Sequence, residues 1–192
     1  MWRVIGDTRN QCLNDMIPTV ENWLTAFLKA QFSTVGDIEE DKMDKVEVLR
    51  NVELFAGASD ELLVKVAEIA EEKTFSLGEM VFQEGEKADW VYVLLEGKVR
   101  VSIDLTSKPA YITVAMLDQS YLPFGWSGIV APYRYTSTAT CEVATRVFAI
   151  PGIKFEEIVN EDPQCGCTVM KKLAELISSR LRNSRMVLLR TF

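Results

Sequence analysis

The sequence predicts a mainly β domain with flanking helices, of the sandwich or jelly-roll kind, followed by a long C-terminal helix. Three observations lead there. Seven short apolar runs follow one another between residues 74 and 150, and Gly78, Gly85-Glu86, Gly97 and Lys108-Pro109 punctuate them at near-regular spacing. No helical period separates those runs, which argues against alternating strand and helix units. Helical periodicity instead appears on both sides of the block, as in a β-roll framed by helices.

Taken in order, residues 1 to 16 give no periodic signal. From Ile17 a helix is predicted, with Pro18 suited to the first turn and Val20, Trp23, Leu24, Phe27 and Leu28 on one face. Its polar face carries only Glu21 and Lys29 as charges, so packing on the domain or on a second copy fits better than a membrane surface. Asp37, Glu39, Glu40, Asp41 and Asp44 mark an acidic linker, so residues 1–45 form an N-terminal extension. The run from Val46 to Phe55 leads to a helix capped by Ser59, with Asp60 and Glu61 in its first turn and Leu62, Leu63, Val66, Ile69 and Ala70 along one stripe.

The strand candidates are Thr74-Phe75, Met80 to Phe82, Trp90 to Leu95, Val99 to Ile103, Ile112 to Met116, Ala139 to Val143 and Arg146 to Ile150. After Pro151-Gly152, Phe155, Ile158 and Val159 predict a short helix that closes a domain spanning 46–160. Asp162-Pro163 opens the last helix, within 161–192, where Val169, Leu173, Leu176, Ile177 and Leu181 lie along one stripe that Met186, Leu188 and Leu189 extend. A narrow apolar seam on a terminal helix suits pairing with its own copy in a homodimer as well as packing on its own β-domain.

At 192 residues, with 48% hydrophobic and 26% charged residues, the chain is long enough to bury a full core. No apolar run approaches the roughly 20 residues that span a bilayer. Arg3, Asp7, Arg9 and Asp15 leave no room for a secretory leader, so a cytoplasmic protein is expected. There is no histidine, and Cys12, Cys141, Cys165 and Cys167 have no paired Cys-x-x-Cys spacing. Metal centres and general acid–base catalysis draw heavily on imidazole, so no metal, no cofactor and no enzyme activity are expected. From Pro163 onward six Lys/Arg stand against Glu175 alone, so of the net charge of −7 a balance of −12 falls on residues 1 to 162. Such an acidic body repels a nucleic acid backbone.

One stretch interrupts the strand series, Phe124 to Ala139. Gly125 and Gly128 allow backbone to approach a ligand closely, and the turn from Gly128 to Ala131 is predicted to present free N–H groups to an anion before Pro132 ends it. Arg134 supplies the segment's positive charge, and Thr136, Ser137 and Thr138 its hydroxyls. The residues by themselves fit either a pocket wall that captures phosphate or carboxylate or a surface loop between two strands.

Leu49, Leu54-Phe55, Gly78-Glu79, Phe82, Glu84-Gly85-Glu86, Ala88-Asp89, Tyr92, Gly97, Phe124-Gly125 and the strand from Ala139 together resemble the cyclic nucleotide-binding domain, over residues 46 to about 185. The likeness is to the ligand-sensing half of catabolite-activator-type regulators. It implies an eight-stranded double-stranded β-helix, a phosphate-binding cassette at Phe124 to Ala139, a cyclic nucleotide such as cAMP as ligand, and a last helix that moves or dimerises in response. The implied ligand-binding set is Gly125, Trp126, Ser127, Gly128, Arg134, Tyr135, Thr136 and Ser137.

Two departures from the family pattern stand out. The family cassette reads Phe-Gly-Glu and later Pro-Arg-Ala-Ala-Thr, its glutamate accepting from the ribose and its arginine pairing with the phosphate. Here Trp126 replaces the glutamate and Tyr135 the arginine, with Arg134 one position early and, on an extended segment, on the opposite face. Losing one charge-assisted contact costs about 1.5–3 kcal/mol, tenfold to a hundredfold in affinity. The two rings either line a pocket for a flatter, less charged ligand or fill it. Secondly, the family's DNA-binding regulators continue into a winged helix-turn-helix, and this chain ends at Phe192, so no DNA partner is expected. The reading is a non-enzymatic regulatory module for a small-molecule effector, answering to an unidentified protein partner, with a ligand-free adaptor of the same fold as the alternative.

Overall fold

The computed structural model describes residues 44–105 and 111–191, with side chains as far as Met186. The helix predicted from Ile17 and most of the acidic linker lie outside the described residues. Eight strands run β1 Glu71–Phe75, β2 Met80–Phe82, β3 Trp90–Glu96, β4 Val99–Asp104, β5 Tyr111–Leu117, β6 Pro123–Phe124, β7 Thr138–Cys141 and β8 Thr145–Pro151. They form two antiparallel four-stranded sheets, ordered β1-β8-β3-β6 and β2-β7-β4-β5. All seven expected strands are present. The eighth, β6, is only two residues long and exists because Tyr92 and Val93 of β3 pair with Phe124 and Pro123. A run that short carries no period of its own.

Helices α1 Lys45–Arg50 and α2 Asp60–Ile69 precede the sheets, and α3 Gly152–Glu161 and α4 Pro163–Thr191 follow them. The starts of α2 and α4 are chemically marked. The Ser59 hydroxyl accepts from the Leu62 amide, and the Asp162 carboxylate accepts from the amides of Gln164 and Cys165 at 3.1 Å, ahead of Pro163, whose missing N–H costs nothing there.

Alternation along the central strands builds two cores. On β3, Val91, Val93 and Leu95 face the helices with Phe148 and Ile150 of β8, whereas Tyr92 and Leu94 face the other sheet with Val147 and Ala149. Both faces of β3 are thus covered, which is why it reads as an unbroken apolar run rather than an alternating one. The helical core gathers Leu49, Leu54, Phe55, Leu63, Val66, Phe155, Val169, Leu173 and Leu176. Cys141 belongs to the core between the sheets and Cys165 to the helical core, both as free thiols, so they share no cluster. Among the described residues no helix is long and apolar enough to cross a membrane.

Candidate functional site

The segment after β6 owes its path to glycine. Gly125 has φ 70°, in the left-handed region, and a Cβ there would sit 3.0 Å from Tyr92 and 3.1 Å from Phe82, so both conformation and space demand its absence. A 3₁₀ turn, Trp126–Ile129, follows and is closed by the Gly128 amide donating to the Gly125 carbonyl at 3.1 Å. Gly128 is buried beneath β3, where a Cβ would lie 2.6 Å from the Trp90 carbonyl oxygen. It serves close backbone packing and does not reach the cavity described below.

From Tyr133 to Tyr135 the chain is zipped to the loop after β2. The Ala88 amide donates to the Tyr133 carbonyl, the Tyr135 amide to the Glu86 carbonyl and the Gly85 amide to the Tyr135 carbonyl, at 2.8 to 3.0 Å. This extended pairing puts neighbouring side chains on opposite sides. The Arg134 guanidinium turns outward and donates to the Gly85 carbonyl at 2.8 Å, while Tyr135 turns inward and is buried. Its ring stacks on Phe82, with centroids 3.9 Å apart and planes 11° from parallel, and its hydroxyl donates to the Trp90 carbonyl at 2.9 Å. Tyr92 and Phe124 complete the aromatic group. Burial raises the Tyr92 and Tyr135 phenols above their ordinary value, so both are neutral donors at physiological pH.

A cavity of about 510 Å³ opens beside this group. Phe124, Gly125, Trp126, Thr136 and Ser137 come from the segment itself, and Phe82 from β2. Val101 and Ile103 of β4 and Ile112, Val114, Ala115 and Leu117 of β5 make an aliphatic wall, and Arg180, Leu181 and Ser184 of α4 complete the enclosure. Of the eight residues expected at the site, the structure therefore brings Gly125, Trp126, Thr136 and Ser137 to the cavity. Ser127, Gly128, Arg134 and Tyr135 do not line it, although Tyr135 backs it through Phe82.

The aliphatic wall and the α4 residues were missed by sequence reasoning. A signal was present for Arg180. It lies seven residues after Leu173 and four after Leu176, so a cation falls on the stripe that otherwise faces the core. Arg180 is half-buried, and burial lowers its guanidinium below the ordinary arginine value. Among the described lining residues it is the sole charge. Chemically, then, the cavity can take an apolar body, offers hydroxyls from Thr136 and Ser137 on one wall, and one positive group on the helix. Among the described residues no cluster of carboxylates and thiols is placed to hold a metal ion.

Comparisons with known proteins agree with this architecture. The model of the cyclic nucleotide-binding domain matches residues 72–162. A solved protein of Geobacter metallireducens GS-15, described as a cyclic nucleotide-binding protein, superposes with a TM-score of 0.62 at 34% identity, covering 72% of this chain and 99% of that one. The catabolite activator protein of Thermus thermophilus gives a TM-score of 0.59 over 71% of this chain and 61% of that one, at 21% identity, a likeness of fold alone. Isozyme 2, forms cD5/T2, of the cGMP-dependent protein kinase of Drosophila melanogaster is 25% identical over 101 residues, 53% of this chain. The chain spans about a tenth of the length of the first curated relatives it matches. With the Geobacter protein 34% identical and matched over 99% of its length, the chain belongs to the cyclic nucleotide-binding domain family.

Proposed function

We propose that the chain is a non-enzymatic regulatory module that binds a small, mainly apolar effector in the cavity between its β-roll and α4 and passes occupancy on through that helix. The fold is that of a cyclic nucleotide-binding regulatory domain, and the reading takes Trp126 and Tyr135 to stand where the family resemblance implies a glutamate and an arginine. One observation carries the reading: strands β4 and β5 form one wall of the cavity and Arg180, Leu181 and Ser184 of α4 form another, so a ligand touches both bodies at once. A ligand shifts a conformational equilibrium only through differential contacts, and a site shared between two elements provides them.

With Arg134 turned to the Gly85 carbonyl and Tyr135 filling the inward position, a cyclic phosphate loses its usual cationic partner. Cyclic nucleotides are thus weak ligands here, by about tenfold to a hundredfold for that contact. The helix also supports a homodimer, because among the described residues beyond Ile177 it leaves Met186 53% exposed. An unidentified protein is the partner such a module would address.

Thermal unfolding in the presence of cAMP, cGMP, a cyclic dinucleotide and apolar compounds sized to the cavity tests the proposal. A ligand at a hundredfold its Kd stabilises by about 2.7 kcal/mol, several degrees of Tm for a domain this size. The expected result is a larger shift with an apolar compound than with either cyclic mononucleotide, together with altered amide exchange in α4. No shift from any compound at millimolar concentration would leave the ligand-free adaptor as the better account.

A further inference from the structure

We infer that the effector is an apolar monoanion whose acid head is held by Arg180 of α4, a contact that takes the place of the one the cassette no longer makes. The inference rests on the ligand-binding reading above and names the chemistry of that site. Arg180 is the only charged residue among the described ones that line the cavity, and its side chain forms no hydrogen bond or ion pair among the described residues. Glu53 influences it through space but makes no ion pair with it. A half-buried guanidinium without a partner is costly, and the cost is recovered when an anion arrives. Its planar fork also suits a carboxylate, which it can engage through two parallel bonds.

The rest of the cavity sets the body of the ligand. Val101, Ile112, Val114 and Leu117 offer it no hydrogen bonds, so a ribose or purine edge laid against them would be stripped of water without replacement. A hydrocarbon or simple aromatic body suffers no such loss. One guanidinium balances one charge, which favours a monoanion over a dianion in so apolar a cavity. Ser184 adds little to the head group, since its hydroxyl already donates to the Arg180 carbonyl at 2.9 Å. Because the acid head would sit on α4 and the body on β4 and β5, the same contact that selects the ligand ties the helix to the roll.

Calorimetric titration of the full chain with decanoate and with decan-1-ol, which differ in charge and not in chain length, separates the two claims. Wild type is expected to bind decanoate more tightly than the alcohol. Arg180→Met keeps an apolar side chain on the helix and is expected to weaken decanoate about tenfold to a hundredfold while leaving decanol within about twofold. Arg180→Lys is expected to recover part of the loss, and Ala115→Leu, which intrudes on the cavity, to weaken both compounds. Equal binding of acid and alcohol, or an Arg180→Met variant that holds decanoate as well as wild type, overturns the assignment of Arg180 and leaves the apolar cavity standing. Failure of wild type to bind either compound, or indifference of both to Ala115→Leu, overturns the ligand-binding reading and this inference with it.

Discussion

Tyr135 donates to the Trp90 carbonyl at 2.9 Å while its ring lies 3.9 Å from that of Phe82, so one side chain provides both a polar anchor and a stacked wall behind the cavity. The two contributions separate by substitution. Tyr135→Phe keeps the stack and removes only a neutral hydrogen bond, a loss of about 1 kcal/mol. Tyr135→Ala removes the ring from a site that is 5% exposed and is expected to cost about 3–5 kcal/mol, the range for buried aromatics. Urea denaturation of both variants checks this, and similar midpoints for the two would show that the ring carries no packing. The inward turn of Tyr135 and outward turn of Arg134 were legible in part, since neighbours on an extended segment alternate. What sequence could not supply was the pairing with Gly85 to Ala88 that holds the segment extended, because it joins residues nearly fifty positions apart. Gly128 shows the same limit: its role depends on the Trp90 carbonyl lying 2.6 Å from where a Cβ would be, and nothing local records that neighbour.

Among the elements, those with a period long enough to read were found, and those defined by a partner were not. Strand β3 announces itself through Trp90 to Leu95, and α2 through Ser59 and its stripe, whereas β6 exists only by pairing with Tyr92 and Val93. Helix α4 lies between these cases. Val169, Leu173 and Leu176 were legible as its buried stripe, but Arg180 on the same face carries information about the cavity only once β4 and β5 are seen opposite it. Beyond the cavity the helix exposes Met186, and the proposed dimer places that residue against a second copy. In a two-fold interface each substitution acts twice. Met186→Asp replaces a half-exposed methionine that the dimer would cover, worth about 1 kcal/mol, with a carboxylate that would lose water there in each copy, and is expected to weaken self-association by more than tenfold. Sedimentation velocity across a concentration series checks this, and a variant that sediments as wild type does would remove α4 from the interface.

At the scale of the whole molecule, two cores meet back to back along β3 and β8, and their chemistry differs. The helical core is mainly aliphatic, with Phe148, the edge-to-face pair Phe55 and Phe155, and one thiol, Cys165, whereas the core between the sheets contains two phenols, Tyr92 and Tyr135, beside the Cys141 thiol. Desolvation by burial is the main cause that raises all three above their ordinary values, 9.0 for the thiol and 10.0 for the phenols. In the unfolded chain they lose protons at those ordinary values while the folded chain retains them. The unfolded state therefore binds fewer protons above pH 9, and stability falls as pH rises, by up to about 1.4 kcal/mol per pH unit for each group that has ionised only when unfolded. Below about pH 8 both states are protonated at these positions and the three groups contribute almost no slope. The urea midpoint is thus expected to be insensitive to these groups from about pH 7 to 8, to decline as pH approaches and passes 9, and to decline faster once the phenols join near pH 10. Cys141→Ala is expected to move the onset toward pH 10 and leave the later, steeper part in place. Because the same aromatic group backs the cavity through Phe82 and Phe124, affinity for the proposed effector is expected to drop over the same alkaline interval in which the sheets loosen, and affinity that persists unchanged to about pH 10.5 would separate the cavity from the core that supports it.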